Sequence, residues 1–190
     1  MYVHGRSVLN SIFGMKIYIQ LVCGLSRLCG IASAAMIAIS VLVVVQMVWV
    51  RYVLEESSIW QTEFVTYLLI AATFIGSPYV LLTRGHVNVD LLPLYLTHKW
   101  RYVLAMFASV LSLAFCLLLT WVGYDFWHEA WENNWVSDSI WEVRLWIPYF
   151  SLVFGFAVLS LQYIADIISL IRGDEMPFGI SHETSMETLS

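Results

Sequence analysis

The chain has 190 residues, 60% of them hydrophobic and only 12% charged, with a net charge of −5 and a mean hydropathy of +0.77. An ordinary soluble domain is about 45–50% apolar and about 25% charged, so this composition excludes a soluble fold of this size and a disordered chain alike. With 9 Lys+Arg against 14 Asp+Glu there is no basic patch for nucleic acid, and Cys23, Cys29 and Cys116 form no C-x-x-C pair for disulfide chemistry.

Taken in chain order, the first element is a short helix over Val8–Gln20. It mixes apolar residues with Asn10, Ser11, Lys16 and Gln20 and is expected to lie on the membrane surface. Leu28–Val50 is then a 23-residue uncharged run between Arg27 and Arg51. Its small-residue triplet Ala32-Ser33-Ala34 looks like a signal-peptide cleavage site. The apolar stretch continues well past it, beyond the roughly 7–15 residues of a signal core, so the run reads as a span. Phe64–Thr83 gives a second uncharged run of 20 residues, interrupted by Pro78, which frees the carbonyl of Phe74.

Asp90–Lys99 follows as another short surface helix, with Asp90 as N-cap and Pro93 in its first turn. Tyr102–Tyr124 (23 residues) and Leu145–Ala165 (21 residues) complete the uncharged runs. At about 1.5 Å per residue each run covers roughly 30–35 Å, enough to cross a hydrocarbon core of about 30 Å. None alternates as barrel strands do. The fold class is therefore an all-α membrane protein with four transmembrane helices and short interfacial helices. Residues 1–172 form its single domain, and the polar, acidic stretch 173–190 is a flexible tail.

Seven basic residues (Arg6, Lys16, Arg27, Arg84, Lys99, Arg101 and Arg172) fall on one side of these spans, and only Arg51 and Arg144 on the other. The positive-inside rule places both termini and the middle loop in the cytoplasm. The opposite side is acidic and carries eight of the nine tryptophans, as an interfacial aromatic belt does. Trp127, Trp131 and Trp135 are spaced i, i+4, i+8, which predicts one helical face and a third helix that continues above the membrane to Asn133.

Ionisable groups in the membrane interior mark function by default, because a charge in lipid is costly. Here Arg27, Glu63 and Asp166 stand at span edges, and the strongest polar group between them is Gln46. A proton pump or solute channel needs a polar line that these spans lack. No histidine lies inside a span to ligate haem, and His128 with Glu132 supplies only two ligands, so no metal, cofactor, catalytic or substrate-binding residue is assigned. The pairs Ala72/Gly76, Ala108/Ser112 and Ser151/Gly155 are spaced i, i+4 and favour close helix packing.

The stretch Arg51–Leu92 carries the most information. It reads Arg51-Tyr52, Trp60-x-x-Glu63, Tyr67, Gly76, then Arg84-Gly85-His86-Val87-Asn88-Val89-Asp90. That order resembles the small membrane subunit, the Q subunit, of tripartite ATP-independent periplasmic (TRAP) transporters, over roughly Gly30–Leu170. One departure is Thr62, where the family often has a second acidic residue beside the first. The resemblance implies a non-catalytic subunit of the bacterial inner membrane. Its partners would be a large membrane permease subunit (M), which holds the substrate and sodium sites and moves as an elevator, and a periplasmic substrate-binding protein (P) that delivers an organic acid. Membrane lipids complete the environment. The competing reading is a membrane-anchoring or assembly subunit of a redox complex, against which the absence of intramembrane histidines counts.

Two groups of residues are singled out. Trp60, Glu63, Gly76, Arg84, His86 and Asp90 are candidates for a structural role or a subunit interface. Glu129, Glu132 and Asp138, in the acidic outer loop, are candidates for a surface on which the binding protein lands.

Overall fold

The computed structural model describes residues 3–55, 60–83 and 98–172. They form α1 (Val3–Val53), α2 (Trp60–Leu82), α3 (His98–Glu132) and α4 (Trp146–Arg172). Each contains a stretch long and apolar enough to cross a membrane. The helices extend past the uncharged runs at most ends, because a helix does not stop where the hydrocarbon does. Expected surface residues Val8–Gln20 are helical, but they run into the first span without a break in the 51-residue α1. They are not a separate interfacial helix, since nothing in the sequence supplies a stop between Gln20 and Leu28. The expected Asp90–Lys99 helix lies outside the described residues except for its end, where His98 and Lys99 open α3.

The packing order differs from the chain order. α2 packs on α1 and on α4, α3 packs on α4, and α1 touches α4 more lightly. α4 is therefore the central helix and the most buried of the four spans. Two crossings fix this arrangement. At the first, the Ser33 hydroxyl of α1 donates to the Ala72 carbonyl oxygen of α2 at 2.7 Å. A Cβ on Gly76 would stand 2.6 Å from the Ser33 oxygen, so only glycine lets the helices meet there.

At the second crossing, Gly155 of α4 lies against the backbone of Phe74 in α2; a Cβ there would stand 2.6 Å from the Phe74 carbonyl carbon. The Phe74 carbonyl is the one that Pro78 deprives of its helical donor, and the Ser77 hydroxyl donates to it at 2.8 Å. Of the three small-residue pairs, Ala72/Gly76 and Ser151/Gly155 thus sit in helix contacts; of the third, Ser112 meets the Tyr163 side chain of α4, while Ala108 is exposed on α3. The remaining outward faces, such as Leu42 and Val45 of α1 and Leu111 and Phe115 of α3, are exposed apolar surface, as a bilayer requires.

A buried polar chain that carries no formal charge in the middle of a span joins α1 to α4. Gln46 is exposed on α1, whereas Gln162 of α4 is buried. The Ser26 hydroxyl of α1 donates to Gln162 Oε1 at 2.8 Å, and Gln162 Nε2 donates to Asp166 Oδ1 at 3.0 Å. Apart from Ser33 and Tyr18, which donate to carbonyls of α2 and α4, several hydroxyls in the spans turn back on their own helix. Ser40, Thr73, Thr120 and Ser160 each donate to the carbonyl four residues earlier.

Candidate functional site

The residues of Trp60-x-x-Glu63 form the first turn of α2, so the motif is a helix start. An acidic side chain there is favoured by the positive end of the helix dipole. What holds the turn comes from far along the chain. α3 ends in a Schellman motif: Asn134 has φ 49, its N–H donates to the Trp131 carbonyl at 3.3 Å, and the Trp135 N–H donates to the Ala130 carbonyl at 3.1 Å. The helix therefore stops at Glu132, and Trp135 does not share a face with Trp127 and Trp131 as its spacing predicted. Its ring instead packs edge-on against Phe126, with centroids 5.6 Å apart.

From Trp135 the chain makes a narrow excursion and returns. Val136 and Arg144 form an antiparallel bridge, Ser137 N–H donates to Val143 O at 2.9 Å, and Leu145 N–H donates to Trp135 O at 3.0 Å. Within it, the Ser137 and Ser139 oxygens accept backbone N–H bonds from Ser139 and Trp141 at 3.3 and 3.2 Å. With their lone pairs so engaged, both hydroxyls donate to Glu63, Ser137 to Oε1 and Ser139 to Oε2 at 2.5 Å. The Tyr67 hydroxyl adds a longer bond to Oε1 at 3.4 Å. Beside this, Trp60, Phe64 and Trp141 form a three-ring cluster with centroids 6.1–6.3 Å apart. Glu63 is thus a pin that ties the α3–α4 connection to the first turn of α2.

Gln61, two residues before Glu63, is 4% exposed, and its Oε1 has no hydrogen-bond partner among the described residues. Neither it nor the serine pair was singled out from sequence. Two serines flanking Asp138 at i, i+2 carry no periodic signal, although they stand in the loop that faces an unexplained acid at a helix start. Glu129, Glu132 and Asp138 are all exposed, with Glu132 3.7 Å from His128 Nδ1. Gly76 serves the α1–α2 crossing. Arg84, His86 and Asp90 lie outside the described residues.

Four described helices long and apolar enough to cross a membrane, packed around α4, define the class as a multi-pass helical membrane protein. Residues 40–173 match the family described as tripartite ATP-independent periplasmic transporters, DctQ component, and the chain belongs to that family. It is a small permease subunit of a TRAP transporter, a protein of the inner membrane and not an enzyme. Two relatives are both named C4-dicarboxylate TRAP transporter small permease protein DctQ. That of Vibrio cholerae is 24% identical and the match covers 73% of this chain and 70% of the relative. That of Pseudomonas aeruginosa is 21% identical, covering 70% of this chain and 64% of the relative.

Proposed function

We propose that this subunit is the static brace of a sodium-coupled uptake system. It holds a large elevator-type permease subunit in place, with both of its own termini in the cytoplasm and the Trp60 end of the bundle facing the periplasm. The names of the two relatives support a C4-dicarboxylate as the transported acid. The observation that supports the bracing role is the packing of α4 between α2 and α3, with α2 and α4 in backbone contact at Gly155. On this reading Trp60 and Glu63 keep the periplasmic loop in shape, and Glu129, Glu132 and Asp138 present its charge to the binding protein. Arg84, His86 and Asp90 fix the cytoplasmic loop against α2 or the large subunit.

Co-expression with the large subunit tests this. The two should co-purify one to one, and liposomes holding both plus the binding protein should take up succinate down a sodium gradient. Liposomes holding this chain alone should take up none. Sodium-driven uptake by the chain alone would refute the bracing role, and so would full uptake by the large subunit without it.

A further inference from the structure

At the end of the bundle that carries the α3–α4 connection, Trp131, Glu132, Asn134, Arg144 and Trp146 line an open cleft of about 420 Å³. It is separate from the Glu63 cluster. Its place in the fold is set by two helix ends: Glu132 is the last residue of α3 and Trp146 the first of α4. Trp146 opens the uncharged run of α4, whereas Glu132 stands eight residues, about 12 Å, past Tyr124, where that of α3 ends, so the cleft lies at the level where the fourth span meets the headgroup layer. The two indoles pack edge to face with centroids 4.6 Å apart and form its apolar wall.

The backbone of Arg144 is fixed by its bridge to Val136 and by the Ile147 N–H, which donates to its carbonyl at 3.2 Å. The Arg144 side chain is exposed, and among the described residues no ion pair engages it. Asn134 is held in its left-handed conformation by the helix cap and adds an amide to the same wall. Glu132 supplies the opposite charge, with only a 3.7 Å contact to His128 and a side chain 66% exposed.

We propose that this cleft holds the headgroup of a zwitterionic membrane phospholipid of the phosphatidylethanolamine type. The phosphate pairs with the Arg144 guanidinium, whose planar fork suits two phosphate oxygens, and takes an amide N–H from Asn134. The primary ammonium donates to Glu132 and lies against the indole faces. Charge complementarity selects the lipid. One cation and one anion in one cleft match a neutral, two-ended headgroup. A purely anionic headgroup would meet the Glu132 carboxylate with nothing to offer it, and a choline headgroup, which can lie on the indoles as well, has no N–H to donate to Glu132. Location where the fourth span meets the headgroup layer selects the membrane as the source rather than a dissolved solute.

Native mass spectrometry of the full-length chain, titrated in detergent with phosphatidylethanolamine, phosphatidylglycerol or phosphatidylcholine, tests this. The chain should retain the ethanolamine lipid about five- to tenfold over the other two, the ratio expected of about 1–1.4 kcal/mol from one charge-assisted contact. Arg144→Gln should remove the bound lipid, and Arg144→Lys should leave an intermediate level, because it keeps the charge and loses the fork. Glu132→Gln should keep binding but bring the ethanolamine and glycerol lipids to parity. Arg51→Gln, a cation at the same end but outside the cleft, should change nothing. Far-UV circular dichroism shows that each variant is folded. Equal retention of the three lipids by the unaltered chain overturns the proposal, as does a folded Arg144→Gln with undiminished retention. Full displacement of the lipid by millimolar glycerophosphoethanolamine would assign the cleft to a soluble solute and overturn the membrane source.

Discussion

Replacing Gly155 with alanine adds one methyl group at the crossing of α2 and α4. The new Cβ would stand 2.6 Å from the Phe74 carbonyl carbon and 2.9 Å from Phe74 Cβ. The Phe74 carbonyl oxygen is closer still, and ordinary contact begins at 3.4 Å, so the helices must part by about 1 Å. Most of what blocks the methyl is backbone, so no rotamer change relieves it. Overpacking of this kind costs about 1–3 kcal/mol. In a chain of this length that lowers the melting temperature by roughly 2–12 °C. Thermal unfolding in detergent reads this directly, and the buried thiols of Cys29 and Cys116 provide a second probe through their reaction with a maleimide dye. The controls are internal. A Cβ on Gly24 meets nothing within 4 Å, so Gly24→Ala should be neutral. A Cβ on Gly30 meets the Tyr79 ring, nearest at Cγ; an exposed side chain can change its χ1 rotamer where backbone cannot move, so Gly30→Ala should fall between the two. Equal melting temperatures for Gly155→Ala and Gly24→Ala would refute the claim that α2 and α4 are in backbone contact here.

Other outcomes follow from the polar contacts and the exposed charge. Glu63→Ala and the double change Ser137→Ala/Ser139→Ala should each free the α3–α4 connection, read as faster proteolysis between Trp135 and Leu145. Combining them should add little, because both remove the same bonds. Gln162→Leu should destabilise the bundle by about 0.6–2 kcal/mol, and Ser26→Ala on top of it should cost almost nothing more, in a double-mutant cycle on thermal stability. His86→Ala and Asp90→Ala should lower the yield of the complex with the large subunit; unchanged yield and uptake in both would leave these residues as solvated turn. Neutralising Glu129 and Asp138, while leaving Glu132, should raise the binding-protein concentration for half-maximal uptake at low salt and less so at high salt.

The four spans were legible because hydropathy needs no tertiary information: an uncharged run of 20 or more residues declares itself. Their packing order was less so. The small residues Gly76 and Gly155 pointed to close crossings, but spacing along one helix does not name the partner, and Ala108 has the same spacing on an exposed face. Trp135 failed as a helical position because the cap at Asn134 is written in a backbone conformation that asparagine tolerates but does not enforce. Glu63 was visible as an unusual acid at a helix start. Its partners lie 74 and 76 residues away in a loop without periodicity, so only the fold unites them. Gln162 escaped because the scan sought formal charge. A glutamine four residues before Asp166 on the same helical face was the available signal.

The distribution of polarity bears on the bracing role. Hydrogen bonds between elements are spread along the bundle: the Glu63 cluster beyond the first residue of α4, the Ser33–Ala72 bond at the α1–α2 crossing, and the Ser26–Gln162 bond some 16 residues in, about 24 Å along α4, with the Tyr18 hydroxyl donating to the Leu161 carbonyl beside it. Between them stand the backbone contacts at Gly155 and, on α1–α2, at Gly76. Tilting α2 against α4 about the Gly155 crossing would pull the Glu63 carboxylate from the serines at one end. Shifting α1 along α4 would break the Ser26–Gln162 bond at the other. In lipid there is no water to replace the latter bond, so the displacement carries a cost that apolar packing alone would not impose. An element that must slide is built with few such bonds. On the proposed bracing reading, a wall against which another subunit slides gains from having them along its length, and the described helices carry them so.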